Sequence, residues 1–259
     1  MPQPVITFLR HSLTLKAAMA ACLDDPKPEA VHKLRSSTRR LEAVLEVLNS
    51  SADLPTLPKR SKAFRRSLRQ IRRASGAVRD LDVHRELLSS YQAVSGATEL
   101  DKELQALRKK KVKKLHRQIL ADEDEIRLTL DRLEATVAGL TDLNLSGENL
   151  VDAARCWLTP AVRGLNPHED EDLHSIRKAC KTARYIAEIG GESSKTAAKF
   201  AKRLENVQQT TGAWHDCLLL LHHAHASLPG KSPFTERLYV KTGLLRRRAE
   251  SKAAHLLRA

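Results

Sequence analysis

Apolar residues recur every three or four positions along most of the chain, and no stretch alternates strictly between apolar and polar. That period is helical. Between 34 and 48, for example, Leu34, Leu41, Leu45 and Leu48 fall on one side of a helical wheel. Leu, Ala, Lys, Arg and Glu dominate the rest, and all of them favour helix. Breakers set the predicted boundaries: Asp25-Pro26-Lys27-Pro28, Asn49 to Pro58, Ser95-Gly96-Ala97, Asp122 to Glu125, Leu143 to Gly147, Asn166-Pro167, Gly190-Gly191 and Pro229 to Pro233. Counting between breakers predicts roughly nine or ten helices. Short connections favour antiparallel neighbours, so the predicted fold is all-α and built from helical bundles.

The pattern is duplicated. Val31-His32-Lys33-Leu34-Arg35-Ser36-Ser37-Thr38-Arg39-Arg40-Leu41 is echoed by Leu173-His174-Ser175-Ile176-Arg177-Lys178-Ala179-Cys180-Lys181-Thr182-Ala183. Phe64-x-x-x-Leu68 followed by Ser75-Gly76-Ala77-x-x-Asp80 is echoed by Phe200-x-x-x-Leu204 followed by Thr211-Gly212-Ala213-x-x-Asp216. The first pair of motifs is offset by 142 residues and the second by 136, and a longer loop at Asn49 to Pro58 accounts for the difference. An internal repeat implies a repeated structural unit. The expectation is a single domain over 1–259, made of similar halves 1–143 and 144–259 sharing a core.

What repeats is charge as well as core. His32, Arg35 and Arg39 line the wheel opposite Leu34, Leu41, Leu45 and Leu48. In the second copy His174, Arg177, Lys178, Lys181, Arg184 and Tyr185 share a face, while Ile176, Cys180, Ala183 and Ala187 share the other. From Lys59 to Arg73 there is no acid, and Lys62, Arg65, Arg69 and Arg72 form an i, i+3, i+7, i+10 ladder beside Arg66 and Arg73. Its counterpart carries Lys195, Lys199, Lys202 and Arg203. Like charges one turn apart repel, and a face selected for solubility would intersperse acids. An anionic partner would offset that repulsion. The alternative for any single stripe is a solvated helix face. Lys109 to Lys111, Lys113 and Lys114 surround their helix, with Arg108 and Lys111 on its apolar side.

Overall charge agrees. The chain of 259 residues has 45 Lys and Arg against 31 Asp and Glu, a net +14, and residues 1–142 and 143–259 carry +8 and +6 respectively. Such an excess points to a polyanion. Aromatic residues make up only 3%, too few for the stacking platforms of single-strand nucleic-acid binders. Cys22, Cys156, Cys180 and Cys217 are scattered and fit buried thiols of a reducing compartment. No signal peptide and no membrane span is expected, so the reading is cytoplasmic with no membrane partner.

These motifs resemble the CHAD family, the conserved histidine α-helical domain. The resemblance rests on His32-x-x-Arg35-x-x-x-Arg39-Arg40, His174-x-x-Arg177-x-x-x-Lys181-x-x-Arg184-Tyr185, Gly76-x-x-Arg79-Asp80 and Gly212-x-x-His215-Asp216, and spans roughly residues 5–225. It implies two four-helix bundles related by a pseudo-two-fold axis. It also implies non-enzymatic binding of inorganic polyphosphate in a basic central groove or pore, with an association with polyphosphate granules. Taking these motifs together with the basic stripes, the candidate polyphosphate-binding residues are His32, Lys33, Arg35, Arg39, Arg40, Lys62, Arg65, Arg66, Arg69, Arg72, Arg73, Arg79, Arg108, His174, Arg177, Lys178, Lys181, Arg184, Tyr185, Lys199, Lys202 and Arg203. The chain departs from the doubled pattern where Lys181 and Thr182 replace two arginines, which weakens that half as a forked phosphate clamp. The last helix, ending near Leu256-Leu257, is expected to be short. The strand motif of the triphosphate-hydrolysing domain that often accompanies this family is absent.

Polyphosphate offers oxygens and no bases, so forked arginines and mobile lysines suit it better than aromatic platforms. His32 and His174 would donate to it or become charged on binding. Alternatively they pack helices through hydrogen bonds, with Asp80 or Asp216 as the partners. His222-His223-x-His225 has no nearby carboxylate or thiol at metal-ligand spacing, and reads as a surface accident. Asp122 to Glu125 and Glu169 to Asp172 read as acids at helix starts, where they complement the dipole. No metalloprotease, hydrolase or P-loop motif occurs, and no cofactor or metal is expected. The rival readings are a nucleic-acid-binding helical protein and an enzyme acting on polyphosphate.

Overall fold

The computed structural model describes residues 3–51, 54–91, 93–140, 142–190, 194–228 and 232–258. Among them the chain is all-α, with eight α-helices and no strand. They are α1 (Pro4–Asp24), α2 (Pro28–Ser51), α3 (Leu57–Ser89), α4 (Ala97–Val137), α5 (Gly147–Val162), α6 (Asp170–Glu188), α7 (Lys195–Ser227) and α8 (Pro233–Leu257), with a 3-10 turn at Ala138–Leu140. No helix among the described residues is long and apolar enough to cross a membrane.

Most breakers act as expected. Pro4, Pro28, Pro58 and Pro233 sit in the first turns of α1, α2, α3 and α8, where a missing N–H costs nothing. Gly96 takes φ +93° just before α4, a conformation open to glycine. Ser146 and Ser232 cap α5 and α8 through reciprocal bonds with Asn149 and Thr235. The break expected at Gly190-Gly191 has α6 ending at Glu188, while Gly191 lies outside the described residues, as do Ala52, Asp53 and Pro229 to Lys231 of two other expected loops.

Three local expectations are corrected. Asp122 to Glu125 is no turn but the middle of the 41-residue α4. The segment holds no Gly or Pro, Ile119, Ile126 and Leu130 keep the apolar stripe continuous, and one-turn contacts from Gln118 to Asp122 and Arg127 to Glu123 tie the acids into the helix. Those acids therefore start no helix. Glu169 and Asp170 to Asp172 do, at the N-cap and first turn of α6. The last helix is not short: Phe234, Leu238, Ala249 and Ala253 bury one side of the 25-residue α8. Cys156 is exposed, whereas Cys22, Cys180 and Cys217 are buried.

Three apolar cores hold the helices together. Phe8, Leu15, Leu41, Phe64, Leu68 and Ile119 join α1 to α4. Ala43 and Val47 of α2 pack with Leu150, Ile176, Leu204, Trp214 and Ala249 from α5 to α8. Leu81 and Leu88 of α3 and Leu100 of α4 pack with Cys217, Leu220 and Phe234. The second and third cores both cross residue 143. They press α2 against α6 and α3 against α7, so the four helices that carry the repeated motifs meet in the middle.

Phe64 is fully buried, and Leu13 is 67% exposed on α1. Phe64→Ala should lower the unfolding free energy by about 3–5 kcal/mol, and Leu13→Ala by under about 0.5 kcal/mol. Denaturant titration checks this, and equal costs would contradict the placement of the first core.

Candidate functional site

Where α2, α3, α6 and α7 meet, a cavity of about 150 Å³ opens. Its walls are His32, Arg35 and Ser36 from α2, Arg79, Asp80 and Val83 from α3, Arg177, Lys181 and Tyr185 from α6, and Asp216 from α7. Several hollows elsewhere are larger, such as one of about 400 Å³ lined by Leu218, Leu221, Tyr239 and Val240. Among the described residues, none of these larger hollows gathers cations from both copies of the motif as this one does.

The helical period explains the convergence. Leu34, Leu41 and Leu45 turn one face of α2 into the core, which leaves His32, Arg35 and Arg39 on the face that meets α6. Ile176, Cys180, Ala183 and Ala187 do the same for α6 and leave Arg177 and Lys181 facing back. Glycine completes the arrangement. A Cβ at Gly76 would collide with the guanidinium of Arg35, and one at Gly212 would come within 3.4 Å of Arg177 Nε. Each motif arginine thus lies across a bare stretch of helix, Arg35 on α3 and Arg177 on α7.

Among the described residues, the cations that line this site lack acceptors. Arg39 Nε and Arg177 Nε are buried with no hydrogen-bond partner, and so is His174 Nδ1. Burial, with Arg39, Arg177, Arg35 and Arg184 around it, pushes the Lys181 ammonium down to about 7. Burial and the nearby Arg35 also lower Arg39. His174 is pushed down to about 4 by burial, by His215, whose ring centroid lies 4.3 Å away, and by Lys178 and Arg177. His32 is lowered by burial and then by Arg79, Lys181, Arg40 and Arg35. Both motif histidines are therefore neutral at pH 7 in the free protein. Neither is hydrogen-bonded to Asp80 or Asp216, so the helix-packing role considered for them is not seen in that form.

The two aspartates remain in the wall without an ion pair or hydrogen bond among the described residues. Burial raises the Asp216 carboxyl, with Arg177 opposing and Asp80 adding to the rise. Both acids lie near the cations of the wall without an ion pair to them among the described residues. Ser36 and Val83 complete the wall and carry no signal in the sequence beyond their helical phase.

Beyond the cavity the cations divide into paired and unpaired sets. Arg65 donates to Glu46 at 2.6 Å, and Arg72 pairs with Glu42. The ladder's repulsion is therefore partly offset by acids of α2, which a count along α3 alone misses. Lys62, Arg66, Arg69 and Arg73 are exposed and have no ion pair among the described residues. Arg40 lies 3.5 Å from Glu188 and over the Tyr185 ring, which Arg184 approaches from within 4.8 Å. Arg184 also meets Glu205, as does Lys202. Lys33, Lys178, Lys199 and Arg203 are exposed. Arg108 Nε donates to buried Asp82 and its Nη2 to the Pro26 carbonyl, which ties α4 to α3 and to the α1–α2 turn. His223 of the histidine tract lies edge-on to buried His84, with ring centroids 5.3 Å apart.

Gly76→Ala separates site from scaffold. It gains up to about 1 kcal/mol of helix propensity, and its only close contact is the mobile end of Arg35. The variant should unfold no more easily than wild type, yet bind any anion that Arg35 holds about tenfold more weakly, because a displaced Arg35 loses a charge-assisted bond. Calorimetric melting and titration measure the two effects. Unchanged affinity would remove Arg35 from the site.

Comparison with known proteins agrees with this architecture. The model of the CHAD domain family matches residues 8–225. No curated protein matches the sequence. A structure described as the CHAD domain from the plant Ricinus communis is similar over 96% of this chain and 90% of that one, with 20% identity and a TM-score of 0.66. PptA from Streptomyces chartreusis is similar over 100% of this chain and 98% of that one, with 18% identity and a TM-score of 0.59. At such identities the two structures speak for the fold, while the family match covers most of the sequence. The chain belongs to the CHAD domain family.

Proposed function

We propose that the protein binds inorganic polyphosphate without chemically altering it, in a basic track that starts from the cavity between α2 and α6. One observation carries the reading. Among the described residues, Arg177 Nε of the cavity wall and Arg39 Nε close to Lys181 are buried donors without acceptors, beside Arg35, Arg79 and Lys181. Leaving such donors unmet is costly, and phosphoryl oxygens would satisfy several of them together. The cavity alone holds a short segment of polymer. The exposed Lys62, Arg66, Arg69 and Arg73 of α3, and Lys199 and Arg203 of α7, would carry the rest of the chain.

The duplication fits the same reading. The two copies place His32 and His174, Arg35 and Arg177, and Gly76 and Gly212 in matching positions on α2 and α6 and on α3 and α7. We take the halves 1–143 and 144–259 as pseudo-symmetric, so that a flexible polyanion meets similar clamps from both sides. Asp80 and Asp216 would then limit how much charge the cavity accepts.

Two outcomes test the proposal. At physiological salt, long-chain polyphosphate should displace labelled duplex DNA, with affinity rising with chain length and falling with salt as counterions are released. DNA displacing polyphosphate would favour the nucleic-acid reading, and phosphate release or chain growth with magnesium would favour an enzyme. The second outcome concerns pH. In the free protein Lys181 sits at about 7. A bound polyanion favours its charged form and raises its pKa, so binding takes up protons above pH 7. His32 and His174 act in the same direction at lower pH. Affinity should therefore be several-fold tighter at about pH 6 than at about pH 8.5. Equal affinity would remove all three groups from the ligand.

A further inference from the structure

Lys181 is the one lysine in the cavity wall, and it is unlike the others of the chain. Lys109, Lys110, Lys113 and Lys114 extend into solvent from α4, whereas Lys181 is half-buried and faces other cations. On its own helix these are Arg177 and Arg184, and from α2 they are Arg35 and Arg39. His32 and Arg79 stand across the cavity, with Asp80 and Asp216 as the acids of the same wall. Lys181 makes no ion pair with either acid among the described residues. A lysine desolvated beside other cations is an activated nucleophile, because much of it is neutral near pH 7. The same cations are forked donors for phosphoryl oxygens. Forked donors around an amine that is partly neutral near pH 7 are the arrangement needed for group transfer from a phosphorylated electrophile to that amine, through the fraction that stays neutral when the reagent binds.

We propose that Lys181 is a site of acylation by small acyl phosphates, with Arg35 and Arg177 holding the phosphate that leaves. This rests on the reading of the cavity as a phosphate site. The neutral Nζ attacks the acyl carbon, and the amide C–N bond forms. The bond from the acyl carbon to the bridging oxygen breaks, and its electron pair departs on inorganic phosphate. The proton lost by nitrogen goes to solvent. No oxidant, metal or further co-reactant is needed. The guanidiniums assist twice, by concentrating the anionic reagent at the amine and by stabilising charge on the leaving group. The product is an uncharged amide in the middle of the cage. It removes a cation and fills part of a cavity of about 150 Å³, so acylation lowers the affinity for any polyanion that uses the site.

Acetyl phosphate at near-neutral pH is the probe, with peptide mass spectrometry following each lysine over time. Lys181 should be acetylated at least about tenfold faster than Lys109, Lys110, Lys113 or Lys114. Inorganic phosphate and polyphosphate should each protect it. An uncharged acetyl ester should still favour Lys181, but phosphate should protect less against it because the cage no longer delivers the reagent. Arg177→Gln should slow acetylation by acetyl phosphate and weaken phosphate protection; Arg35→Lys, which keeps the charge and loses the fork, serves the same end should the first variant fold poorly. Acetylation of Lys181 no faster than that of the exposed lysines, or a rate indifferent to phosphate, overturns the inference. Protection by phosphate but not by polyphosphate leaves the inference standing and removes polyphosphate as the ligand. Tight polyphosphate binding with an unreactive Lys181 does the reverse.

Discussion

The structure depends on cations held close together without enough acids to neutralise them. Arg35, Arg39, Arg177 and Lys181 face one another across the contact between α2 and α6. In water two such charges at contact repel by about 1 kcal/mol, and more where water is excluded. The helices approach because apolar burial behind the cations compensates: Leu34, Leu41 and Leu45 on one side, Ile176, Cys180 and Ala183 on the other, all fully buried. The scaffold therefore holds a charge pattern that the charges themselves oppose. A site made in this way is organised without a ligand, so an anion bound there would spend little binding energy arranging it.

Much of this was legible along the chain. Helical period, breakers and the doubled motif identified an all-α fold and the faces of α2 and α6. Those signals are local, and every helix repeats them several times. What could not be read was pairing across helices. Arg65 and Arg72 looked like members of an unopposed ladder, yet Glu46 and Glu42 of α2 reach them. Arg108 looked like a groove cation, yet it is bound to Asp82. The error at Asp122 to Glu125 has the same root. A cluster of acids resembles a turn until the partners one helical turn away are counted. Asp80 shows the converse case, since it follows Arg79 in sequence and makes no ion pair among the described residues.

The paired and unpaired cations also divide the molecule by chemistry. Arg60, Arg65, Arg72 and Arg108 join one helix to another and belong to the scaffold. Arg35, Arg79 and Lys181 point into space they do not fill. Net charge does not distinguish these groups; their acceptors do. The neutral histidines belong with the second group, because burial and neighbouring cations keep them uncharged until an anion changes the balance.

Gly76 has a consequence for how the protein tolerates change. The cellular machinery that removes faulty chains responds to unfolding, and a methyl group at this position leaves the helix at least as stable. Such a variant would reach normal abundance and pass any screen based on solubility or melting temperature, with one arm of its anion clamp displaced. On the proposed reading, a methyl group at residue 76 would cost anion binding rather than folding, the opposite of the loss expected at Phe64 a few turns earlier in the same helix.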